Sequence, residues 1–254
     1  MARYKAIIAY DGTHFKGFQR QNDARTIQGE LEKTLYRLNG KKQVTVHGAG
    51  RTDAGVHAMG QVIHFDLAHE RDEEKLRFAL DTQSPDDIAV LSVQHVADDF
   101  HSRYAPHEKV YQYRVSLNKV RSPFERYYMA HFPYEVDIEA MKQGAQALIG
   151  THDFTSFCAT GTSVEDKVRT IYDIHIDYDD KKQTLVFTYY GNGFLYKMVR
   201  LITGTLLRLG NGRLDTPIAT ILENKDQQQV LWTAPAEGLY LMEVKYDEDK
   251  EDHV

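Results

Sequence analysis

A glycine-rich loop between two strand-like runs is the feature that most constrains how this chain can fold. The runs lie at residues 44–47 and 61–65, and the segment that joins them reads HGAGRTDAGVHAMGQ. Its four glycines interrupt every regular pattern, so we predict a loop that displays side chains. Arg51, Thr52 and Asp53 lie at its centre, where neighbouring glycines let a large substrate approach the backbone. We therefore take Asp53 as the candidate centre of chemistry; a plain turn with a surface ion pair is the alternative.

Size and composition indicate an ordinary globular protein. The chain has 254 residues, 42% of them hydrophobic and 27% charged, which is enough for one large domain or two of usual size. No apolar run approaches the roughly 18 residues of a membrane span, and the N-terminus has no signal-peptide pattern. We expect a cytoplasmic protein without a membrane partner. The single cysteine, Cys158, fits a reducing compartment and is more simply a core residue than a catalytic thiol.

The twelve histidines raise the question of a metal site. His47, His57 and His64 fall in one stretch, but their spacing matches no zinc pattern and no cysteines accompany them. We predict no metal site from the sequence.

Charge is distributed unevenly along the chain. The formal net charge of -6 argues against a nucleic-acid partner, which normally meets a basic surface. However, residues 1–63 carry ten Lys and Arg against five acids, whereas residues 70–99 carry nine acids against three basic residues. This segregation permits a basic cleft that faces RNA, although mixed solvated faces would show the same totals.

Alternating strand and helix patterns predict an α+β fold. Residues 4–10 alternate as a strand, residues 26–38 have the spacing of an amphipathic helix capped by Thr26, and further strands and a helix follow. The same plan recurs in the second half. We predict two similar subdomains, each a mainly antiparallel sheet with helices on one face, with the sheets meeting at a central cleft. Their bounds are 1–105 and 106–246, followed by an acidic, disordered tail at 247–254.

Three further stretches carry candidate site residues. The loop THFKGFQRQNDAR interleaves Phe18 with Lys16 and Arg20, which suits RNA contact, although a polar loop anchored by its two phenylalanines fits equally well. Tyr111 lies in the alternating strand YQYRV, where a tyrosine with a buried ring is the simpler interpretation. Arg200 lies on the apolar segment 194–209 and needs an anionic partner unless it reaches solvent.

Several motifs, in order, resemble the bacterial tRNA pseudouridine synthase A family. They are YDG with GFQRQ, GRTDAGVHA, FLYKMVR and GLYL, and together they cover nearly the whole chain. One position departs from the pattern, because Phe18 stands where family members often carry Trp. The resemblance implies isomerisation of uridine to pseudouridine at positions 38, 39 and 40 of the tRNA anticodon stem-loop, with base flipping, in a homodimer that needs no cofactor.

The resemblance also implies roles for individual residues. Asp53 is the implied nucleophile, and Arg200 pairs with it and favours its charged form. Tyr111 stacks on the flipped uracil, Arg51 helps to hold the nucleotide, and Leu239 packs beside the site. Lys16, Phe18 and Arg20 belong to the substrate-binding loop.

Two other functions remain open on the residues alone. One is an RNA-binding module in which Asp53 is a turn residue without catalytic function. The other is a hydrolase in which Asp53 and His57 form an acid–base pair.

Overall fold

The computed structural model of the chain describes residues 1–105, 107–162, 164–230 and 232–246. The predicted acidic tail at 247–254 lies outside the described residues. Contacts between Cα atoms divide the chain into two units, one formed by Met1–His107 with the residues from Tyr240 onward and one by Glu108–Leu239. The subdomain bounds derived from the sequence stay a prediction. Within the described ranges, no helix combines the length and the apolar character needed to cross a membrane.

The predicted α+β class is confirmed, and the strands pair in a mostly antiparallel manner. In chain order, the described strands are β1 (Ala2–Tyr10), β2 (His47–Gly48), β3 (His57–Leu67), β4 (Ile88–Val96), β5 (His107–Ser116), β6 (Ala130–His131), β7 (Gly150–Asp153), β8 (Val168–Asp179), β9 (Thr184–Gly191) and β10 (Leu239–Tyr246). The described α-helices are α1 (Ile27–Leu38), α2 (Glu73–Gln83), α3 (Ile138–Gln146), α4 (Met198–Gly210) and α5 (Ile218–Asn224).

In the first unit, β1 lies between β3 and β4 and is antiparallel to both. The register places Tyr4 opposite Phe65, and their stacked rings, with centroids 5.8 Å apart, lie in the core. On the other edge of β3, β2 pairs antiparallel and β10 pairs parallel through Tyr240 and Leu241. The glycine-rich loop therefore runs from β2 to β3, the central strand of this unit.

Both described helices of the first unit begin at side-chain caps, of which the sequence predicts the one at Thr26. The hydroxyl of Thr26 accepts a hydrogen bond from Gly29 N (3.2 Å) at the start of α1, and the carboxylate of Asp72 accepts one from Lys75 N (2.9 Å) at α2. The predicted apolar face of α1 is buried, as shown by Leu31 and Leu35 at no more than 1% exposure. The amphipathic pattern correctly predicted a helix that packs on the core.

The strand predicted at residues 44–47 is mostly wrong, since only His47–Gly48 pairs as a strand. Val44 and Val46 are buried as the alternation indicates. However, the N–H of Val46 donates to Glu32 Oε1 (3.1 Å), and its carbonyl accepts from Gln28 Nε2 (3.1 Å). Side chains of α1 therefore satisfy the backbone groups that a neighbouring strand would otherwise pair.

In the second unit, four strands pair antiparallel in the order β5, β9, β8, β7, and β6 adds parallel to β5. Tyr111, Tyr113 and Val115 on β5 are buried, whereas Gln112 and Arg114 are only partly so. This confirms the predicted alternation of the strand.

The apolar segment of the second unit becomes α4, but the helix begins at Met198 rather than at residue 194 as the sequence pattern predicts. Lys197 adopts a left-handed backbone conformation with φ 58°, and Gly193 has φ 154°, so the preceding residues cannot continue a helix. From Met198 to Leu207 every residue except Arg200 is buried. The prediction of a helix deep in a domain is confirmed.

Candidate active site

The loop that carries Asp53 is held by backbone contacts with the segment after β1. Phe18 N donates to Thr52 O (3.0 Å), and Gly55 N donates to Phe15 O (3.4 Å). Gly17, at φ 93°, passes so close that a Cβ there would lie 2.7 Å from Thr52 O. Both the dihedral angle and the close approach require glycine at this position. The two segments therefore fix each other on either side of Asp53.

A buried side-chain contact fixes the residue before Asp53. The hydroxyl of Tyr10, at the end of β1, lies 2.8 Å from Thr52 Oγ1, and both residues are buried. Burial raises the pKa of Tyr10 to about 12, so its hydroxyl stays protonated and remains available as a donor near neutral pH. Asp53 itself is partly buried, and Arg51 is exposed. The contacts of Thr52 with Tyr10 and Phe18 therefore hold the backbone next to Asp53.

His57 is buried and contacts the turn after β1. Its ring is 2% exposed, and its Nδ1 accepts a hydrogen bond from Gly12 N (3.1 Å). The ring also stacks on Tyr240, with centroids 4.7 Å apart. Asp11 Oδ1 lies 3.2 Å from the same nitrogen, Nδ1, so the histidine joins β3 to the turn after β1.

The cationic loop before α1 is anchored by its aromatic residues. Phe15 and Phe18 are each 2% exposed, and a Cβ at Gly48 would come within 2.6 Å of the Phe18 ring. The two rings hold the loop, as the alternative interpretation of the sequence expected. Lys16 and Arg20 are exposed, and Arg20 Nη1 lies 3.0 Å from Glu32 Oε2.

Sequence reasoning missed the polar residues that support this loop. Glu32 is 6% exposed, and its carboxylate accepts from Arg20, from Gln28 Nε2 (2.9 Å) and from Val46 N. Gln28 Oε1 accepts from Arg20 N (2.9 Å). The sequence pattern that could have indicated them is the i, i+4 spacing of Gln28 and Glu32 beside the apolar face of α1. One carboxylate thus joins the cationic loop, α1 and the residues that lead into the Asp53 loop.

The second unit contains Tyr111, Arg200 and Leu239. Tyr111 is 7% exposed, and its ring meets that of Phe194 edge to face, with centroids 5.2 Å apart. Arg200 is partly buried, and its Nε donates to Ala234 O (2.8 Å), while Ala234 N donates to Arg200 O (3.1 Å). Leu239 is buried at the start of β10. The predicted ion pair of Asp53 with Arg200 stays a prediction.

Residues 234–238 connect these positions within the second unit. Tyr113 on β5 donates its hydroxyl to Pro235 O (2.6 Å), next to the carbonyl that receives Arg200. Burial, reinforced by the charge of Glu237, raises the pKa of Tyr113 well above its usual value, so this donor persists at neutral pH. Gly238 packs against Tyr113 and the carbonyl of Arg114 so closely that a Cβ would overlap both. The segment thereby fixes Arg200 and Leu239 relative to β5.

A group of histidines occupies another part of the first unit. His47 on β2 stacks on His64 of β3, with centroids 4.7 Å apart, and His101 meets His64 edge to face at 4.5 Å. Burial, followed by the charges of His47 and His101, lowers the pKa of His64 to about 3. The sequence pattern named His57 beside His47 and His64, and so missed His101, which is distant in the chain.

A family model described as tRNA pseudouridine synthase matches residues 6–105 and 145–247 of this chain. The chain belongs to the tRNA pseudouridine synthase family. Among curated relatives, the tRNA pseudouridine synthases A of Streptococcus pneumoniae (strain P1031) and Streptococcus suis (strain 98HAH33) are each 58% identical to it over 249 residues. These alignments cover 98% of this chain and 100% of the relatives. The family resemblance inferred from the motifs is confirmed, and the protein is an isomerase.

Proposed function

We propose that the protein isomerises uridine to pseudouridine at positions 38, 39 and 40 of the tRNA anticodon stem-loop, with Asp53 as the nucleophile. The observation that carries the proposal is the position of Asp53 in the RTD loop of this chain, which belongs to the family. Asp53 is partly buried there, and contacts between Thr52 and Phe18 and between Thr52 and Tyr10 hold the loop. Support on both sides suits a catalytic group, which must be held in its reactive geometry.

The reaction requires a group that holds the sugar or the base while the base turns. The bond between C1′ and N1 breaks, a bond between C1′ and C5 forms, C5 loses a proton and N1 gains one, so the atoms and electrons of the nucleotide balance. A carboxylate can provide a covalent hold by attacking C1′ of the ribose or C6 of the uracil. We assign this step to Asp53. No oxidation or hydrolysis occurs, so the chemistry calls for neither a metal nor an organic cofactor.

The target base must leave the RNA stack before Asp53 can reach it. Flipping costs a few kcal/mol, which stacking and phosphate contacts in the bound state offset. We assign the stacking contact to Tyr111, whose ring is fixed by Phe194, and the hold on the flipped nucleotide to Arg51, which is exposed beside Asp53. Leu239 would form an apolar wall of the pocket.

Arg200 is proposed as the ion-pair partner of Asp53. A nearby guanidinium favours the ionised carboxylate that a nucleophile requires. A guanidinium carries five N–H donors, and the bond from Arg200 Nε to Ala234 O involves one of them. The same bond fixes the direction of the side chain, which reduces the entropy lost when the pair forms.

Contacts with the body of the RNA are assigned to the cationic loop. Lys16 and Arg20 are exposed and suited to phosphates, while Phe18 acts by anchoring the loop to Gly48. We further propose that the protein works as a homodimer in the cytoplasm, as the family resemblance implies.

Mapping of pseudouridine in tRNA tests the proposal directly. Uridine-containing tRNA is incubated with the wild type, Asp53→Asn or Asp86→Asn, and pseudouridine is located by the persistence of its carbodiimide adduct in alkali. Asp86 is an exposed carboxylate of the same unit, so its variant controls for the loss of a charge. We expect product at positions 38–40 with the wild type and the control, and none with Asp53→Asn.

A binding measurement on the same variants separates catalysis from recognition. Asp53→Asn should bind tRNA within about threefold of the wild type, because the substitution removes a reacting group and keeps its shape. Undiminished product with Asp53→Asn would refute the role of Asp53. Tight binding without product from the wild type would indicate an RNA-binding module, and released uracil or cleaved RNA would indicate a hydrolase.

A further inference from the structure

Three imidazoles of the first unit converge from separate parts of the chain. His47, His64 and His101 each offer a ring nitrogen, and these atoms all lie within 4.8 Å of one another. His47 and His64 are register partners on β2 and β3, and His101 follows β4. In a tetrahedral zinc site with Zn–N bonds of about 2.05 Å, two such nitrogens are roughly 3.3 Å apart. Side-chain rotations that move each nitrogen by about an ångström would therefore close the site.

The burial of the three rings suits a site with one open side. His64 is buried at 2% exposure, His101 is intermediate and His47 is exposed. The exposed ring can adjust to an entering ion, while the buried ring is fixed by its strand. Asp66 is not an obvious fourth ligand, because both of its carboxylate oxygens bond to Arg3, at 2.8 and 2.9 Å. Solvent is then left to complete the coordination.

Hydrogen bonds of Ser102 can orient the buried ring. Its hydroxyl donates to His47 O (3.0 Å) and lies 2.8 Å from His64 Nδ1. In a metal-bound form, with the one hydrogen of the hydroxyl on His47 O, His64 can donate to Ser102 Oγ from Nδ1, and the lone pair on Nε2 then binds the metal. A ligand histidine normally donates its other nitrogen in this way.

Two backbone hydrogen bonds oppose a proton on Nδ1 of these histidines. The N–H groups of Ser102 and Arg103 lie 3.1 and 3.2 Å from Nδ1 of His64 and His101. An ion at Nε2 requires a proton on Nδ1 and so displaces these contacts. The ion must therefore bind imidazole strongly enough to offset their loss.

We propose that His47, His64 and His101 bind one divalent transition-metal ion, with water in the remaining position. Three neutral nitrogens and no carboxylate favour zinc or its neighbours over magnesium and calcium, which prefer oxygen ligands. The bound ion would crosslink β2, β3 and the segment after β4. Because β2 leads into the Asp53 loop, the site is structural support for that loop and takes no part in the isomerisation.

Titration with Co²⁺, a spectroscopic substitute for zinc, tests the site on the full-length protein. The variants are His47→Ala, His101→Gln and, as the matched control, His69→Ala, an exposed histidine of the same unit. We expect one Co²⁺ per wild-type chain with visible absorption typical of tetrahedral coordination, displacement by Zn²⁺, and the same behaviour in the control. Both cluster variants should lose the absorption. Ser102→Ala, which removes the orienting hydroxyl, should weaken binding by about tenfold or more.

A thermal measurement provides the second readout. Zn²⁺ should raise the melting temperature of the wild type and His69→Ala, and leave that of His47→Ala unchanged. His47 is exposed, so this variant is expected to fold and its result to be interpretable. The proposal is overturned if the wild type takes up no ion with tetrahedral absorption. It is equally overturned if His47→Ala and His101→Gln bind the ion as the wild type does.

Discussion

The contact between Tyr10 and Thr52 offers the sharpest test of how the Asp53 loop is held. Tyr10→Phe removes one hydroxyl, and Thr52→Val removes the other with little change of shape. The two oxygens are 2.8 Å apart in a buried setting. A net hydrogen bond contributes about 1 kcal/mol, and a buried hydroxyl left without its partner costs about 1–3 kcal/mol. We expect each single variant to lower the free energy of unfolding by about 1–2 kcal/mol.

The double variant isolates the interaction itself. Once both hydroxyls are gone, neither is left without the other, so the double variant should be about 1 kcal/mol more stable than the sum of the singles predicts. The unfolding free energies are measured by urea denaturation, with Tyr172→Phe, an exposed tyrosine, as a control expected to lie within about 0.5 kcal/mol of the wild type.

The same variants report on catalysis, because Thr52 adjoins Asp53. Misplacing the carboxylate at a cost of about 1.4 kcal/mol in the transition state lowers kcat about tenfold, while the KM for tRNA changes little. Initial rates of pseudouridine formation with saturating tRNA measure this effect. Additive losses of stability, with a coupling below about 0.3 kcal/mol, or a fall in affinity with an unchanged kcat, would refute the reasoning.

Two further predictions concern carboxylates. Glu32→Ala should lower the free energy of unfolding by about 2–4 kcal/mol, because it leaves the donors of Gln28 and Val46 without their buried acceptor. Glu32→Gln keeps an acceptor and should lower it clearly less. Equal losses for the two variants in urea denaturation would contradict this account. At Asp153, hydrogen bonding from Thr155 and then Lys225 lowers the pKa below the ordinary value of 3.8. Its stabilising contribution, less than about 1 kcal/mol for so exposed a pair, is therefore present above pH 3.8 and lost as the pH falls through the depressed pKa. Asp153→Asn should make acid denaturation less steep, and an unchanged acid profile would count against the assignment.

Periodicity predicted those elements whose backbone groups are satisfied inside the helix or by a neighbouring strand. The strand predicted at residues 4–10 lies within β1, and α1 was predicted with its Thr26 cap, because local spacing decides the strand and spacing with capping decides the helix. The strand at residues 44–47 failed for the opposite reason: its alternation is real, but Glu32 and Gln28 occupy its hydrogen-bonding groups. Such a contact joins residues more than ten positions apart and leaves no local pattern.

The candidate site shows the same division between local and distant information. Motifs identified Asp53, Tyr111 and Arg200 as positions worth attention. They could not identify Tyr10 as the partner of Thr52, because that contact spans 42 residues and depends on the register of β1 against β3. Residues that carry chemistry are recognisable from their type and spacing, whereas the residues that support them are identified only once the tertiary structure is known.

Because β10 belongs to the first unit, it affects the order in which the two units can complete folding during translation. Tyr240 and Leu241 complete the edge of β3, and Leu241 and Tyr246 are among the most buried residues. Residues 108–238 of the second unit are all synthesised before this strand emerges. The first unit is thus completed only after the second has been synthesised, and the Asp53 loop acquires its final surroundings only once β10 has emerged.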